Sequence, residues 1–140
     1  MNVKRIFLIV VSAFALSGVM NAQVDPATAA KRERHRNMTI KEWNTDARTQ
    51  TRWMDRMTVY DEAGRKIEEA EYANYGQKWR ITYEYGENDK IAKEVLYDDR
   101  DKPVLIRKYE YDSTGRKLKQ YNYAPNGRLQ TTKVFEYIMP

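Results

Sequence analysis

The carboxylates of this sequence are the first place to look for chemistry. Glu68, Glu69, Glu71, Glu84 and Glu94 lie close enough in sequence to supply a pair of the kind that cleaves glycosidic bonds. Such a pair needs one member buried and shifted upward in pKa, to act as the acid. In this chain the surrounding residues alternate polar and apolar, which places most of these glutamates on a solvated face. Asp98, Asp99 and Asp101 could offer oxygen ligands to calcium. They lack the spacing and the closing glutamate of a calcium loop, and Arg100 and Lys102 interrupt them, so a solvated turn is expected. His35 is the single histidine and there is no cysteine. One chain therefore cannot assemble a triad, a thiolate site or a multi-histidine metal site. No catalytic residues, no metal and no cofactor are expected, and the protein reads as a non-enzyme.

The aromatic residues are the stronger candidate for a binding surface. Trp79, Tyr83, Tyr85, Tyr109, Tyr111, Tyr121 and Tyr123, with Phe135 and Tyr137, could form a platform for sugar rings, peptides or another apolar surface. Their placement follows from a repeat. Tyrosines recur at 60, 72, 85, 97, 111, 123 and 137, spaced by 12, 13, 12, 14, 12 and 14 residues. Four residues after each of the first six stands Gly64, Gly76, Asp89, Asp101, Gly115 or Gly127. Next come polar, mostly cationic residues (Arg65, Gln77, Lys90, Lys102, Arg116, Arg128), and then an aliphatic or aromatic residue opens the following extended run. Glycine takes positive φ at little cost and closes a tight hairpin. Gly64, Gly76, Gly115 and Gly127 are thus assigned as turn-forming. The Asp89 and Asp101 hairpins, without glycine, are expected to be looser or differently shaped.

A period of 12–14 residues is strand, turn, strand. In Trp79–Tyr85 the odd positions are aromatic or aliphatic and the even positions are Arg80, Thr82 and Glu84. The same parity in Tyr109-x-Tyr111, Tyr121-x-Tyr123 and Phe135-x-Tyr137 predicts one aromatic and one charged face. The fold class expected is all-β: a meandering antiparallel sheet of tandem hairpin repeats over residues 39–140. The aromatic face is expected to be the core, covered by residues 39–57 with Trp43, Trp53, Met54 and Met57, or by the sheet curling on itself. Aromatics left over at the open end would then be contacts. Thr39-x-x-Glu42 resembles a capping box, but no helical stripe follows it. Residues 43–46 read instead as the end of one extended segment turning into another, 49–60. Asn37-Met38-Thr39 and Asp112-Ser113-Thr114 are short glycosylation-type patterns.

The N-terminal segment is of another kind. Lys4 and Arg5 precede an uncharged apolar run from Ile6 to Val19, and small residues follow. At 14 residues the run is short for a ~30 Å hydrocarbon core. The basic, apolar, small order is that of a secretory signal peptide, residues 1–22, with cleavage expected after Ala22. Residues 23–38 are expected to be a linker or frayed helix, carrying the basic run Lys31–Arg36. Loss of Lys4 and Arg5 leaves 23 cations against 20 anions, a net charge of +3. Interleaving of the two signs argues against nucleic acid as a partner, and no membrane span is expected in the mature form. Without cysteine there is no lipobox, so the expected location is exported (periplasm, cell surface or secreted) and not as a lipoprotein.

Tyr60-Asp-Glu-Ala-Gly-Arg-Lys-Ile67 and Tyr111-Asp-Ser-Thr-Gly-Arg-Lys-Leu118 resemble the YD repeats of RHS-type proteins. Tyr123-Ala-Pro-Asn-Gly-Arg-Leu129 is similar to the Tyr-x-Asn-Gly repeats of MORN-like bacterial proteins. The resemblance covers about residues 53–137. It implies β-hairpins and an exported location. It does not imply the toxin-enclosing shell of large RHS proteins, because six copies are too few and a C-terminal processing and toxin segment is lacking. The expected role is a binding or structural module of the cell envelope, with an envelope protein or a glycan as partner and possible self-association through the sheet edge. Carbohydrate binding, or less readily carbohydrate processing, through the aromatic face is the alternative.

Overall fold

A computed structural model describes residues 24–140; the expected signal peptide lies outside the described residues. One helix, α1 (Pro26–His35), precedes eight strands: β1 (Thr39–Thr45), β2 (Arg52–Tyr60), β3 (Lys66–Ala73), β4 (Gly76–Tyr85), β5 (Ile91–Tyr97), β6 (Pro103–Tyr111), β7 (Lys117–Tyr123) and β8 (Leu129–Val134). They form one antiparallel sheet in the order β1-β2-β3-β4-β5-β6-β7-β8, so each strand pairs with its neighbours in sequence. The all-β meander expected from the repeat is what the chain adopts.

The repeat motif is the chemistry of its turns. In Tyr60-Asp61-Glu62-Ala63-Gly64-Arg65 the Asp61 carboxylate accepts from the amides of Ala63 and Arg65 at 2.9 and 2.8 Å. Asp98 and Asp112 do the same for Arg100 and Lys102, and for Thr114 and Arg116. The fourth residue after each tyrosine then turns left-handed, Gly64 at φ 71° and Gly115 at 86°. Asp89 (60°) and Asp101 (61°) adopt the same conformation and make the same backbone bonds, Asp89 N–H to Gly86 C=O and Asp101 N–H to Asp98 C=O. These two hairpins are therefore not looser, which corrects the expectation: aspartate visits this region more readily than most residues, and here its carboxylate is held by distant side chains, Arg32 and Arg65 on Asp89 and Gln77 and Arg80 on Asp101. Gly76, at φ 127°, serves a tighter connection in which Ala73 pairs with Gly76. A further hairpin between β1 and β2 uses Asp46 in the same capping role.

Every hairpin also carries an irregularity in register, mid-strand between Glu42 and Trp43 in the first and near the turn in the others, such as that between Val59 and Tyr60 or between Glu84 and Tyr85. These bulges leave one extra residue on one strand and strengthen the twist. The sheet is a single layer. Among the described residues Ala70 is the fully buried apolar residue and Thr58 the buried polar one, and no large side chain is fully buried. Residues 39–57 do not cover an aromatic face; they are β1 and most of β2 and extend the sheet sideways. A strand sequence such as Arg52–Tyr60 gains more by completing backbone hydrogen bonds at an edge than by crossing a face that would leave them unmet.

Residues 26–35 form a capped helix, the second of the two alternatives expected for residues 23–38. Asp25 caps it by accepting from the Thr28 amide at 3.0 Å and the Thr28 hydroxyl at 2.6 Å, and Pro26 occupies the first turn. α1 buries no side chain of its own. It lies against the β2–β3 turn, where its Arg32 carbonyl would stand 1.9 Å from a Cβ placed on Gly64. Among the described residues no helix is long and apolar enough to cross a membrane.

Candidate functional site: two aromatic faces and an open edge

Directly paired residues in an antiparallel sheet share a face, so the register assigns each candidate side chain to one side. Thr58, Glu69, Ile81, Leu96 and Leu105 form one row across the sheet, and Tyr83, Glu94, Arg107, Asn122 and Thr131 another on the same, front, side. Trp79, Tyr85, Tyr109 and Tyr111 share this parity. The back carries Glu68, Thr82, Val95, Ile106 and Tyr123 in one row and Glu84, Lys93, Lys108, Tyr121 and Thr132 in another. The single aromatic face is therefore corrected. Trp79, Tyr83, Tyr85, Tyr109 and Tyr111 lie in front, while Tyr121 and Tyr123 lie behind. Parity within each strand follows the alternation in the sequence, but the turn and bulge between strands reset which parity faces front. Charges are divided likewise, so neither face is the charged one.

On the front, each repeat tyrosine ties one hairpin to the one before it. The hydroxyls of Tyr85, Tyr111 and Tyr137 donate to the carbonyls of Lys66, Ile91 and Lys117 at 2.7, 2.6 and 2.9 Å. Those carbonyls belong to residues paired across the bulge with Tyr60, Tyr85 and Tyr111 or standing beside it. Cations cover the rings. The Arg65 guanidinium lies 4.7 Å from the Tyr85 centroid, Lys66 5.7 Å from Tyr83 and Lys117 4.1 Å from Tyr109. Behind, Arg80 stands 3.9 Å over Tyr97 and Lys108 5.5 Å over Tyr123.

The carboxylates are committed to these networks. Glu69 accepts from the Tyr83 hydroxyl and from Lys66 Nζ, the latter at 2.9 Å. Burial raises its pKa, but the hydrogen bonds from Tyr83 and Lys66 and the nearby charge of Arg56 outweigh it and hold it below the usual range. The same partnership, with burial as the larger cause, pushes the Tyr83 phenol far up. Tyr109 is pushed up to about 12 by burial and by Glu94. Glu71 is lowered chiefly by its hydrogen bond from Lys78. A general acid needs the opposite shift. Asp98 caps its turn and Asp101 bonds Arg80 at 2.8 Å, and among the described residues no group of three or more His, Cys, Asp or Glu could hold a metal ion.

The seam under α1 was not legible as a site. His35 stacks on Tyr60 with centroids 4.5 Å apart. Arg32 pairs with Asp89, and Arg65 bridges Asp61 and Asp89 at 2.9 and 3.0 Å. Burial raises the Asp89 carboxyl, but both arginines overcome it and hold it below its ordinary value. The cavity here is lined by Lys31, Arg32, His35, Tyr60, Arg65, Lys66 and Tyr85 among others, and no carboxylate lines it, although Arg32 and Arg65 are paired with Asp61 and Asp89 beside it.

The sheet edges differ. β1 presents Lys41 and Glu42, and its Trp43 is covered by Arg52 at 4.4 Å. β8 is exposed along its whole length, with Lys133 as its one charge and Val134 61% accessible. Tyr137, Ile138 and Met139, also exposed, follow it. The unpaired backbone of β8 is a template for another strand, and it carries few of the devices that blunt such edges.

No protein-family model and no curated protein matches the chain. Among solved structures, a mutant of S. aureus TarM in complex with Fondaparinux, alpha-GlcNAc-glycerol and UDP shares 18% identity over 73% of this chain, at a TM-score of 0.30. The match spans 20% of the TarM chain.

Proposed function

We propose that the protein is a non-catalytic, exported binding module of the bacterial cell envelope, built on YD- or MORN-like hairpin repeats, that takes up an extended segment of a partner protein along β8. The observation that carries this reading is the fully exposed edge strand at the end of an eight-stranded array. Strand addition supplies main-chain hydrogen bonds without a pocket, and neighbouring side chains select the partner. The signal-like N-terminus supports the envelope location. Lowered pKa values of Glu69 and Glu71 support a binding role over glycoside hydrolysis. The glycan alternative is weaker because cations already occupy the rings of Tyr83, Tyr85 and Tyr109.

A photo-crosslinking residue at Thr132 in the full chain, activated in intact cells, tests the reading. Capture of a discrete protein from position 132, and none from an equivalent probe at Glu62 on a far turn, is the expected result. Equal labelling from both positions would remove it.

A further inference from the structure

We infer that the cavity beneath α1 is a binding site for a small phosphate monoester, its phosphate held between the helix and the start of β3 and its organic part against the rings of Tyr60 and Tyr85. The cavity has a volume of about 240 Å³. That is a little below the range of pockets that take drug-sized ligands, so a phosphate carrying a single ring is the right size. Two segments distant in sequence converge on it. α1 brings Lys31, Arg32 and His35, and the end of the β2–β3 turn brings Arg65 and Lys66. No carboxylate lines it. The acids that pair with these cations are already engaged: Asp61 with turn amides and Arg65, Asp89 with Arg32 and Arg65, and Glu69 with Lys66 and Tyr83.

Donors remain after these pairings. Arg32 reaches Asp89 through Nη1, and among the described residues its Nε and Nη2 bond nothing. Lys31 makes no ion pair there, and Glu69 takes only one of the three N–H groups of Lys66. The Tyr60 hydroxyl is likewise without a partner among the described residues, whereas that of Tyr85 donates to the Lys66 carbonyl. A carboxylate offers two oxygens in one plane. A phosphate offers three that meet donors from both sides at once, and arginine and lysine are the side chains suited to it. The site is not a general property of the turns. The corresponding groove one hairpin further along is lined by Asn88, Lys90, Asp112, Ser113, Thr114 and Gly115. It has one cation and one carboxylate, and no residue of α1 lines it. The helix therefore makes the difference, and a bound phosphate would tie α1 to the sheet.

The test is a titration of the full chain, as purified from the cells that make it, followed by amide NMR shifts at matched ionic strength. The probes are phenyl phosphate, inorganic phosphate and benzoate. Phenyl phosphate is expected to shift residues 26–36 and 60–66, to slow amide exchange in α1 and to raise the thermal midpoint. Inorganic phosphate should bind more weakly, for want of a ring, and benzoate more weakly than phenyl phosphate, for want of the third oxygen. Lys31 is exposed, so Lys31→Glu keeps the fold; it should weaken phenyl phosphate about tenfold or more by reversing a contact charge. Lys31→Gln should give a smaller loss in the same direction. Arg128→Glu makes the same change of charge in the turn between β7 and β8, at the opposite end of the strands, and should leave the affinity within about twofold. Absence of localised shifts with phenyl phosphate, benzoate or inorganic phosphate binding as tightly, or equal losses in Lys31→Glu and Arg128→Glu would each overturn the site. None of these outcomes bears on strand capture at β8, which the crosslinking probe at Thr132 decides separately.

Discussion

Gly64 and Gly127 occupy equivalent turns and share positive φ, yet their surroundings separate them. A Cβ on Gly127 meets nothing within 4 Å, whereas one on Gly64 would overlap the Arg32 backbone. Gly127→Ala should therefore cost about 1 kcal/mol of backbone strain. Gly64→Ala should cost ~3 kcal/mol, because α1 must lift off and lose the contacts of Arg32 and His35. Urea unfolding midpoints of the two variants give the comparison, and equal losses would remove the role assigned to the helix. Tyr109 adds a pH dependence. Its folded pKa, about 12, exceeds the unfolded value of about 10. The folded state thus holds a proton that the unfolded state releases between these values, and stability should fall as pH rises through that window. Tyr109→Phe should flatten the fall, read from thermal midpoints between pH 9 and 12. At low pH the sign reverses for Asp61 and Asp89. Their lowered pKa values stabilise the fold above the unfolded carboxylate range, and that contribution is lost as pH drops through the folded values.

At the scale of elements, the hairpin is self-contained and the helix is not. Every turn but the tight one before Gly76 closes on its own aspartate or asparagine, and each has its own left-handed residue, so strand order and the meander are legible from spacing alone. α1 was only half legible. Asp25-Pro26 is a start signal, but the helix has no apolar stripe and is held by Arg32 and His35 reaching partners 57 and 25 positions away. Asp89 holds two roles at once, turn former and ion-pair hub. Asp89→Gly keeps the positive φ that the turn requires and removes both arginine contacts. The expected outcome is an unchanged sheet by circular dichroism with faster amide exchange in residues 26–36; unchanged exchange there would show that the helix is held by other means.

Over the whole molecule, stability is distributed along the array because each strand touches only its sequence neighbours. The most buried positions, Thr58, Gly64 and Ala70, cluster in β2, β3 and the turn between them, and exposure rises toward β8. Amide protection should thus be greatest in β2–β4 and least in β8. The sequence by itself determined the hairpins, their turns, their order and the all-β class, because those rest on residues within a few positions of one another. Only the tertiary structure decided which face each aromatic ring occupies, since a one-residue bulge reverses a face without altering the spacing that reveals the strand. It alone decided that residues 39–57 lengthen the sheet and leave its faces bare of a second layer, and that β8 stays open, because backbone pairing at an edge depends on what lies beside a strand and not on what lies within it.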